Sequence, residues 1–158
     1  MKKRVPRAYA DTSVFGGVFD EEFREASQEF FGQVRRGRFR LVTSAIVGRE
    51  AAEAPTQVRQ FYEGVLLAAE VADVTEEAVD LQQAYLGAGI VSPKWGADAL
   101  HVALATTSGC SLIVSWNFAH IVHFDKIPLY NEVNAAEGYG AIAIHSPLEV
   151  IGYEDEDS

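Results

Sequence analysis

The sequence predicts a three-layer α/β/α domain with a mainly parallel central sheet. Segments with helical spacing of apolar residues alternate along the chain with short apolar runs of strand length, a pattern typical of parallel sheets covered by helices. In the stretch 97–105 the only polar residues are Asp98 and His101, which favours a helix buried in the middle of the domain. Ser108-Gly109 and the apolar run 111–115 follow, so this region predicts a helix-to-strand crossover.

The first half of the chain supplies three of the expected strands and three helices. Pro6 interrupts the first strand early, and a loop containing Gly16-Gly17 follows its carboxyl end. The acids at 20–22 and Arg35-Arg36 match the polarity of a helix macrodipole, which favours a helix between them. Pro55 stops the next helix. We therefore expect strands at 5–10, 38–43 and 71–74, and helices at 20–36, 45–54 and 57–70.

Capping residues and glycines set the expected boundaries in the second half. Thr75 is a helix cap, and Gly87 and Gly89 end the helix that follows it. Ser92-Pro93 is a typical helix opening, or a turn before the buried helix. The expected elements are a helix at 75–86, the buried helix at 98–107, a strand at 111–115, an irregular or short helical stretch at 117–125, a helix at 128–137, a strand within 139–145 and an apolar segment at 147–151.

Length and composition bound the domain organisation. The 158 residues are 48% hydrophobic, which is enough for one sizeable core. We expect one domain at 1–150 and a solvated acidic tail at 151–158. The single Cys110 excludes an internal disulfide, and no apolar segment has the length of a signal peptide or a membrane span. These features predict a cytoplasmic protein with no membrane attachment.

The charge of the chain limits how it can bind nucleic acid. A formal charge of −10 and a pI near 4.8 oppose a general coating role, because such binding depends on Lys and Arg neutralising phosphates. Basic residues nevertheless cluster at 2–7 and at 35–40, which leaves room for a local basic path.

Three acids stand where a parallel fold would group them at one edge of the sheet. Asp11 ends the first strand, Glu50 lies on the helix that leaves the second, and Asp98 lies in the buried helix. Carboxylates that share an apolar site repel one another unless a cation compensates their charge. Since the sequence has no paired Cys or His spacing, Mg²⁺ or Mn²⁺ is favoured over zinc. Two structural alternatives stay open: Asp11 as a cap or turn residue and Glu50 as a solvated helix residue.

Four segments resemble the signature segments of PIN domains. These are Ala-Asp-Thr-Ser-Val-Phe at 10–15, Thr-Ser-Ala-Ile-Val-Gly-Arg-Glu at 43–50, Asp-Ala-Leu-His-Val-Ala-Leu-Ala at 98–105 and Ile-Val-Ser-Trp-Asn-Phe at 113–118. The resemblance covers the chain to about Val150. It is greatest to small prokaryotic PIN proteins, including VapC-type toxins, which the stretches 120–122 and 146–150 also resemble.

The resemblance implies a metal-dependent endoribonuclease that cuts RNA to leave a 5′-phosphate. It assigns Asp11, Glu50 and Asp98 as the catalytic, metal-binding acids, with Mg²⁺ or Mn²⁺ as cofactor. The fourth metal position, often Asp in the family, is Asn117 here. Asn offers one neutral carbonyl oxygen, so a second ion would be held more weakly or through water. One firmly bound ion would still polarise the phosphate and activate water.

The resemblance also implies supporting residues and partners. Thr12 and Ser115 would orient the carboxylates through hydrogen bonds. Toxins of this family are commonly homodimers, each paired with an antitoxin whose tail covers the acidic site. We therefore expect the toxin of a type II toxin–antitoxin pair, with a basic peptide segment as inhibitor.

Five other residues have a functional and a structural interpretation. His101 lies one helical turn after the last of the three acids, and the structural interpretation, a core residue with its hydrogen bonds satisfied, is favoured. His120 has better access to substrate, because it lies near a loop of the candidate site. Arg49 and Lys94 are candidates for a phosphate contact or for surface ion pairs. Trp116 is a candidate for base stacking, although packing is the favoured interpretation.

Two other classes of function compete with a nuclease. A non-catalytic PIN module that binds RNA or a protein partner is favoured by Asn117 and by the acidic net charge. A phosphatase-like hydrolase with Asp11 as nucleophile would have a second aspartate two residues on, where this chain has Ser13.

Overall fold

The computed structural model describes residues 4–152, and its centre is a five-stranded sheet in which all neighbouring strands are parallel. Strands β1 to β5 are Arg7–Ala10, Arg40–Ser44, Glu70–Ala72, Leu112–Val114 and Ala143–His145. Their order across the sheet is β3-β2-β1-β4-β5. Most of the expected acidic tail, from residue 153 onward, lies outside the described residues, as do Lys2 and Lys3.

Two groups of helices flank this sheet. Helices α1 to α8 are Thr12–Gly17, Arg24–Arg35, Ala45–Ala52, Thr56–Leu66, Glu76–Gly87, Gly96–Thr107, Lys126–Ala136 and Pro147–Ile151, and a 3₁₀ turn spans Pro93–Trp95. Helices α5, α6 and α7 form one packed group, and α1 to α4 with α8 form the other. The predicted three-layer α/β/α architecture with a parallel sheet is confirmed.

Helix α6 forms the centre of the core, as its composition predicts. Ala99, Val102, Ala103, Leu104 and Ala105 are all fully buried. The small alanine side chains let the neighbouring helix and strands approach closely, and α5 packs along α6 over much of its length. Among residues 4–152, no helix has the length and apolar character that crossing a membrane requires.

The loop expected around Gly16-Gly17 is instead helix α1, so that expectation was wrong. The Asp11 side chain accepts a hydrogen bond from the backbone N–H of Ser13 and caps the helix. A Cβ at position 17 would come within 2.8 Å of the Trp116 indole nitrogen. The absence of a side chain at Gly17 therefore allows Trp116 to pack closely against α1. The sequence instead suggested that Gly17 gave flexibility to a loop.

Element boundaries also differ from expectation by a few residues, and in three places the structure shows where the element begins or ends. The helix expected at 20–36 begins at Arg24, because the Asp20 carboxylate accepts the backbone N–H of Glu22 at 2.8 Å and closes a turn there. The first strand begins at Arg7, where its register with β2 starts. The helix expected at 57–70 ends at Leu66, since Glu70 already pairs with β2 in the register of β3.

The strand order places a topological switch point between β1 and β4. The chain leaves β1 toward β2 and β3 on one side, then returns to β4 on the other side. Asp11 follows β1, and its backbone N–H donates to the carbonyl of Val114 in β4 at 3.2 Å. In parallel α/β sheets ligands bind beyond the carboxyl ends of the strands at such a point, so a site is expected at this edge.

Candidate active site

Asp11 is a buried carboxylate held by hydroxyl groups. It is 4% exposed, and its Oδ1 accepts from the Ser13 hydroxyl at 2.5 Å while its Oδ2 accepts from the Ser115 hydroxyl at 2.8 Å. Burial raises the pKa of Asp11 above its ordinary value, and the nearby Asp98 raises it further, against a lowering by His101 and by the two serine hydroxyls. The neutral donors fix the orientation of this carboxylate without supplying a charge that neutralises it.

Glu50 connects α3 to the centre of the molecule through His101. Its Oε1 lies 2.9 Å from Nε2 of His101 and accepts the Thr12 hydroxyl at 2.5 Å. Burial alone raises the pKa of Glu50, but the hydrogen bonds from His101 and Thr12 and the charge of His101 outweigh it, so the pKa is lowered. The Glu50 side chain is 38% exposed, which leaves it accessible at the rim of the site.

His101 is the buried link between this rim and the sheet. It is 2% exposed, and its Nδ1 lies 2.8 Å from the hydroxyl of Tyr9, which in turn lies 2.8 Å from the hydroxyl of Ser44. Burial lowers the pKa of His101, but the bond to Glu50 and the charges of the nearby carboxylates outweigh it and raise the pKa overall. The favoured interpretation of His101 as a buried residue with satisfied hydrogen bonds is confirmed, although one of its partners is a candidate site acid.

Asp98 stands in the first turn of α6 and is held by His120. Its Oδ2 lies 2.9 Å from Nδ1 of His120, and the two side chains are 21% and 20% exposed. The hydroxyl of Tyr130 donates to the backbone carbonyl of His120 at 2.8 Å. The imidazole of His120 also stacks on the indole of Trp95, with 4.6 Å between ring centroids and a 29° interplanar angle.

Asn117 uses its side-chain oxygen to close a turn. This Oδ1 accepts the backbone N–H of His120 at 3.0 Å, and the Asn117 backbone N–H donates to the Ser115 hydroxyl at 2.9 Å. The hydroxyl of Ser115 therefore joins Asn117 to Asp11, which agrees with an orienting role for Ser115. The assignment of Asn117 as a metal ligand stays a prediction, and its amide oxygen already has a partner in this structure.

The three candidate acids share one electrostatic neighbourhood. The charges of Asp11, Glu50 and Asp98 all act on buried His101, and Asp98 acts on Asp11. Within residues 4–152, however, no three His, Cys, Asp or Glu side chains stand close enough together to hold a metal ion. The donors fit a hard divalent cation chemically, since all three are carboxylates whose side-chain partners in the described chain are hydroxyls and histidines. Glu50 and Asp98 are partly exposed, whereas Asp11 is buried.

The remaining candidates divide between the surface and the core. Arg49 and Lys94 are exposed, and the Lys94 ammonium lies over the Trp95 ring, 5.0 Å from its centroid. Trp116 is 9% exposed; it donates from its indole N–H to the Ser27 hydroxyl at 2.8 Å and stacks on Phe23. Packing is therefore the confirmed interpretation of Trp116.

Sequence reasoning missed two contributors to this site. One is Ser13, whose spacing of two residues from Asp11 is the local signal that it bonds that carboxylate. The other is Trp95. It precedes Asp98 by three positions, a spacing that places two side chains on the same side of a helical segment.

Comparison with known proteins gives a likeness in fold. No protein-family model and no curated protein matches the sequence. Among solved structures, VapBC2 from Rickettsia felis, bound to a DNA fragment from its promoter, aligns with a TM-score of 0.56 and 10% identity over 89% of this chain and 98% of that chain. VapC20 of Mycobacterium tuberculosis, a Sarcin-Ricin loop cleaving toxin, aligns with a TM-score of 0.48 and 14% identity over 86% of this chain and 98% of that chain.

The chain is a three-layer α/β/α protein with carboxylates at the carboxyl edge of a parallel sheet. More specifically, the likeness to the Rickettsia structure shows a PIN-like fold, which confirms the fold that the four sequence segments imply.

Proposed function

We propose that the protein is a metal-dependent endoribonuclease that hydrolyses phosphodiester bonds of RNA. One observation carries the proposal: buried Asp11 stands at the topological switch point, and two acids from other elements, Glu50 and Asp98, are each bonded to a histidine at 2.9 Å. Carboxylates with neutral or histidine partners suit a site that binds a divalent cation. The PIN-like fold and the resemblance of the four signature segments support the same activity.

Each residue of the site has a defined task in this proposal. Asp11, Glu50 and Asp98 would hold Mg²⁺ or Mn²⁺, which supplies charge stabilisation at the phosphate and lowers the pKa of bound water. The hydroxyls of Ser13 and Ser115 fix Asp11.

Three further contacts orient the other two acids. Thr12 and His101 hold Glu50, and His120 holds Asp98. Since metal affinity depends on such orienting bonds, these residues support the acids without contacting the ion.

We further propose that the chain acts as the toxin of a toxin–antitoxin pair. The resemblance to VapC-type toxins and the fold likeness to VapBC2 support an antitoxin partner. An acidic edge attracts a basic peptide segment for the same reason that it attracts a metal ion. Within this proposal the nuclease domain is 1–150, and the protein is a cytoplasmic homodimer. The antitoxin inhibits it by placing a cationic side chain among the three acids.

Metal-dependent cleavage tests the nuclease proposal directly. The purified protein is incubated with a generic single-stranded RNA in Mn²⁺, in Mg²⁺ and in EDTA, beside the variants Asp11→Asn, Glu50→Gln and Asp98→Asn. Glu53→Gln is the matched control, because Glu53 is an exposed acid at the end of the same helix as Glu50. Cleavage that needs the divalent ion, survives in the control and is lost in the three variants is the expected result. Equal cleavage by wild type and all variants would assign the activity to a contaminant.

The second candidate is a non-catalytic module that binds RNA or a protein partner. It is favoured by the amide of Asn117, whose oxygen is already bonded to His120. Calorimetry with Mn²⁺ distinguishes the two functions. Heat of binding that disappears in Asp11→Asn and Asp98→Asn supports the nuclease, and no binding to the wild type supports the module.

A further inference from the structure

We propose that the indole of Trp95 is a stacking surface for one nucleobase of a single-stranded RNA whose phosphodiester lies at the acidic site. The inference rests on the proposed nuclease function. It specifies that the site binds its RNA as a single strand, with one base stacked on Trp95. It assigns recognition to a ring that contacts the base, at the end of the 3₁₀ turn that leads into α6.

The position of Trp95 relative to the acids is fixed by a chain of contacts. Its ring stacks on His120 with 4.6 Å between centroids, and His120 bonds to Asp98 at 2.9 Å. The backbone of His120 is held in turn by Asn117 and by the hydroxyl of Tyr130. A base stacked on this indole would therefore lie at a defined distance from a candidate catalytic carboxylate.

Exposure distinguishes Trp95 from the other tryptophan of the chain. Trp116 is 9% exposed, and its indole N–H bonds to Ser27 within the core, so packing accounts for it fully. Trp95 is 41% exposed although it stands beside polar and charged groups. A large aromatic surface that is held rigid and left partly in water is suited to stacking, because every base presents a π-face.

Charge favours RNA over a protein segment as the occupant. The ammonium of Lys94 lies 5.0 Å from the centroid of the Trp95 ring. A nucleotide brings a phosphate with each base, so stacking on Trp95 would place an anion within reach of this cation. An arginine of a basic peptide could also stack on the ring, but Lys94 would repel it. The exposed lysine makes only a weak contact with the ring in water, so a base can displace it.

Fluorescence of Trp95 alone provides a direct test. The chain has two tryptophans, so the Trp116→Phe variant reports Trp95 only. This variant is titrated at low ionic strength, with Ca²⁺ present to compensate the charge of the acids. The ligands are a short single-stranded RNA, the same backbone lacking its bases, and a basic peptide. Affinities are measured in parallel for wild type, Trp95→Ala and Trp95→Phe. Leu67→Ala is the control, because Leu67 is a 92% exposed apolar residue after α4.

Stacking predicts quenching by the RNA and not by the base-free backbone. It also predicts that Trp95→Ala weakens RNA binding by about 10-fold, that Trp95→Phe restores most of the affinity, and that Leu67→Ala changes nothing. Unquenched fluorescence and unchanged RNA affinity in Trp95→Ala would overturn the inference, as would quenching by a basic peptide and not by RNA. If the wild type still cleaves RNA in Mn²⁺ in those cases, the proposed nuclease function stands while the stacking surface is lost.

Discussion

The imidazole Nε2 of His101 lies 2.9 Å from Oε1 of Glu50, which joins a residue that is 2% exposed to an acid at the rim of the site. The other ring nitrogen lies 2.8 Å from the Tyr9 hydroxyl. His101 is therefore anchored in the sheet on one side and positions a candidate metal-binding carboxylate on the other. Its role connects the stability of the core to the geometry of the site.

Replacing His101 should therefore affect stability and cleavage together. His101→Phe keeps an aromatic ring but leaves Tyr9 and Glu50 each without one partner, so we expect a loss of roughly 1–3 kcal/mol in the free energy of unfolding. Cleavage should fall as well, because Glu50 loses its orientation. Urea unfolding and RNA cleavage are measured beside His145→Gln, a histidine whose side chain is 42% exposed. A His101→Phe protein with normal stability and activity would show that the network has no role in either.

Asn117 allows a second prediction, because its side chain closes the turn to His120. Aspartate accepts the same hydrogen bond about equally well, so Asn117→Asp should leave stability nearly unchanged, whereas Asn117→Ala should cost about 1 kcal/mol. If Asn117 is a metal ligand, as the resemblance implies, the Mg²⁺ concentration for half-maximal cleavage should fall in Asn117→Asp, since an added carboxylate tightens binding of a hard cation. An unchanged midpoint, with both proteins active, would remove Asn117 from the metal site and leave it only its role in the turn.

Patterns in the sequence are sufficient to predict the parallel sheet and the buried helix. Nine consecutive positions of α6 with two polar residues admit no exposed face, and Thr75 at the start of α5 is a cap whose hydroxyl accepts from Ala78 at 3.1 Å. Capping residues and runs of apolar residues act on neighbouring positions of the chain. They can therefore be recognised in the sequence without knowledge of the tertiary contacts. Parallel topology likewise leads to the expectation that Asp11, which follows β1, lies near the same sheet edge as Glu50 of α3 and Asp98 of α6.

Tertiary contacts explain what the sequence patterns missed. The pair Gly16-Gly17 is typical of a loop. In the structure, however, Ser27 and Trp116 pack against Gly17, and Trp116 lies about 100 residues away along the chain, so no local pattern indicates this contact. The acids at 20–22 are typical of the first turn of a helix. In the structure, the Asp20 carboxylate instead accepts a hydrogen bond from the backbone N–H of Glu22 and closes a turn before the helix. The stacking of Trp95 on His120 joins two segments whose spacing carries no periodic signal.

Buried ionisable side chains predict a loss of stability in alkali. Burial raises the pKa of the Cys110 thiol to about 12, against a lowering by the Arg7 guanidinium, and burial also raises the pKa of Tyr85 and Tyr130. The unfolded chain releases the thiol proton near pH 8.5, so above that pH the folded state binds more protons. Stability should therefore fall as pH rises, by about 1.4 kcal/mol per pH unit for each proton involved.

Between about pH 9 and 10 this loss should come mainly from the thiol, because tyrosines in the unfolded chain ionise only near pH 10. Cys110→Ala should flatten the decline of unfolding free energy in that window, whatever its effect at pH 7. Urea unfolding at half-unit intervals of pH measures both slopes. Parallel slopes in the two proteins would mean that Cys110 titrates normally in the folded state.

The two adjacent glycines of α1 provide a matched pair for testing how α1 packs. Neither has a positive φ, so alanine is allowed by the backbone at both positions. A Cβ at Gly16 meets nothing within 4 Å, whereas one at Gly17 comes within 2.8 Å of the Trp116 indole nitrogen. Gly16→Ala should be neutral or raise stability by up to about 1 kcal/mol, and Gly17→Ala should lower it by about 1–3 kcal/mol through overpacking.

The Gly17→Ala variant should also weaken the site, because α1 carries Thr12 and Ser13, which bond Glu50 and Asp11, and the backbone N–H of Trp116 donates to the Ser13 hydroxyl at 2.8 Å. Pushing Trp116 away from α1 strains that bond and therefore the orientation of Asp11. Thermal unfolding and RNA cleavage are compared for the two variants. Equal behaviour of the pair would contradict the close packing of Gly17 on Trp116, and an active but destabilised Gly17→Ala protein would separate the packing of α1 from the positioning of Asp11.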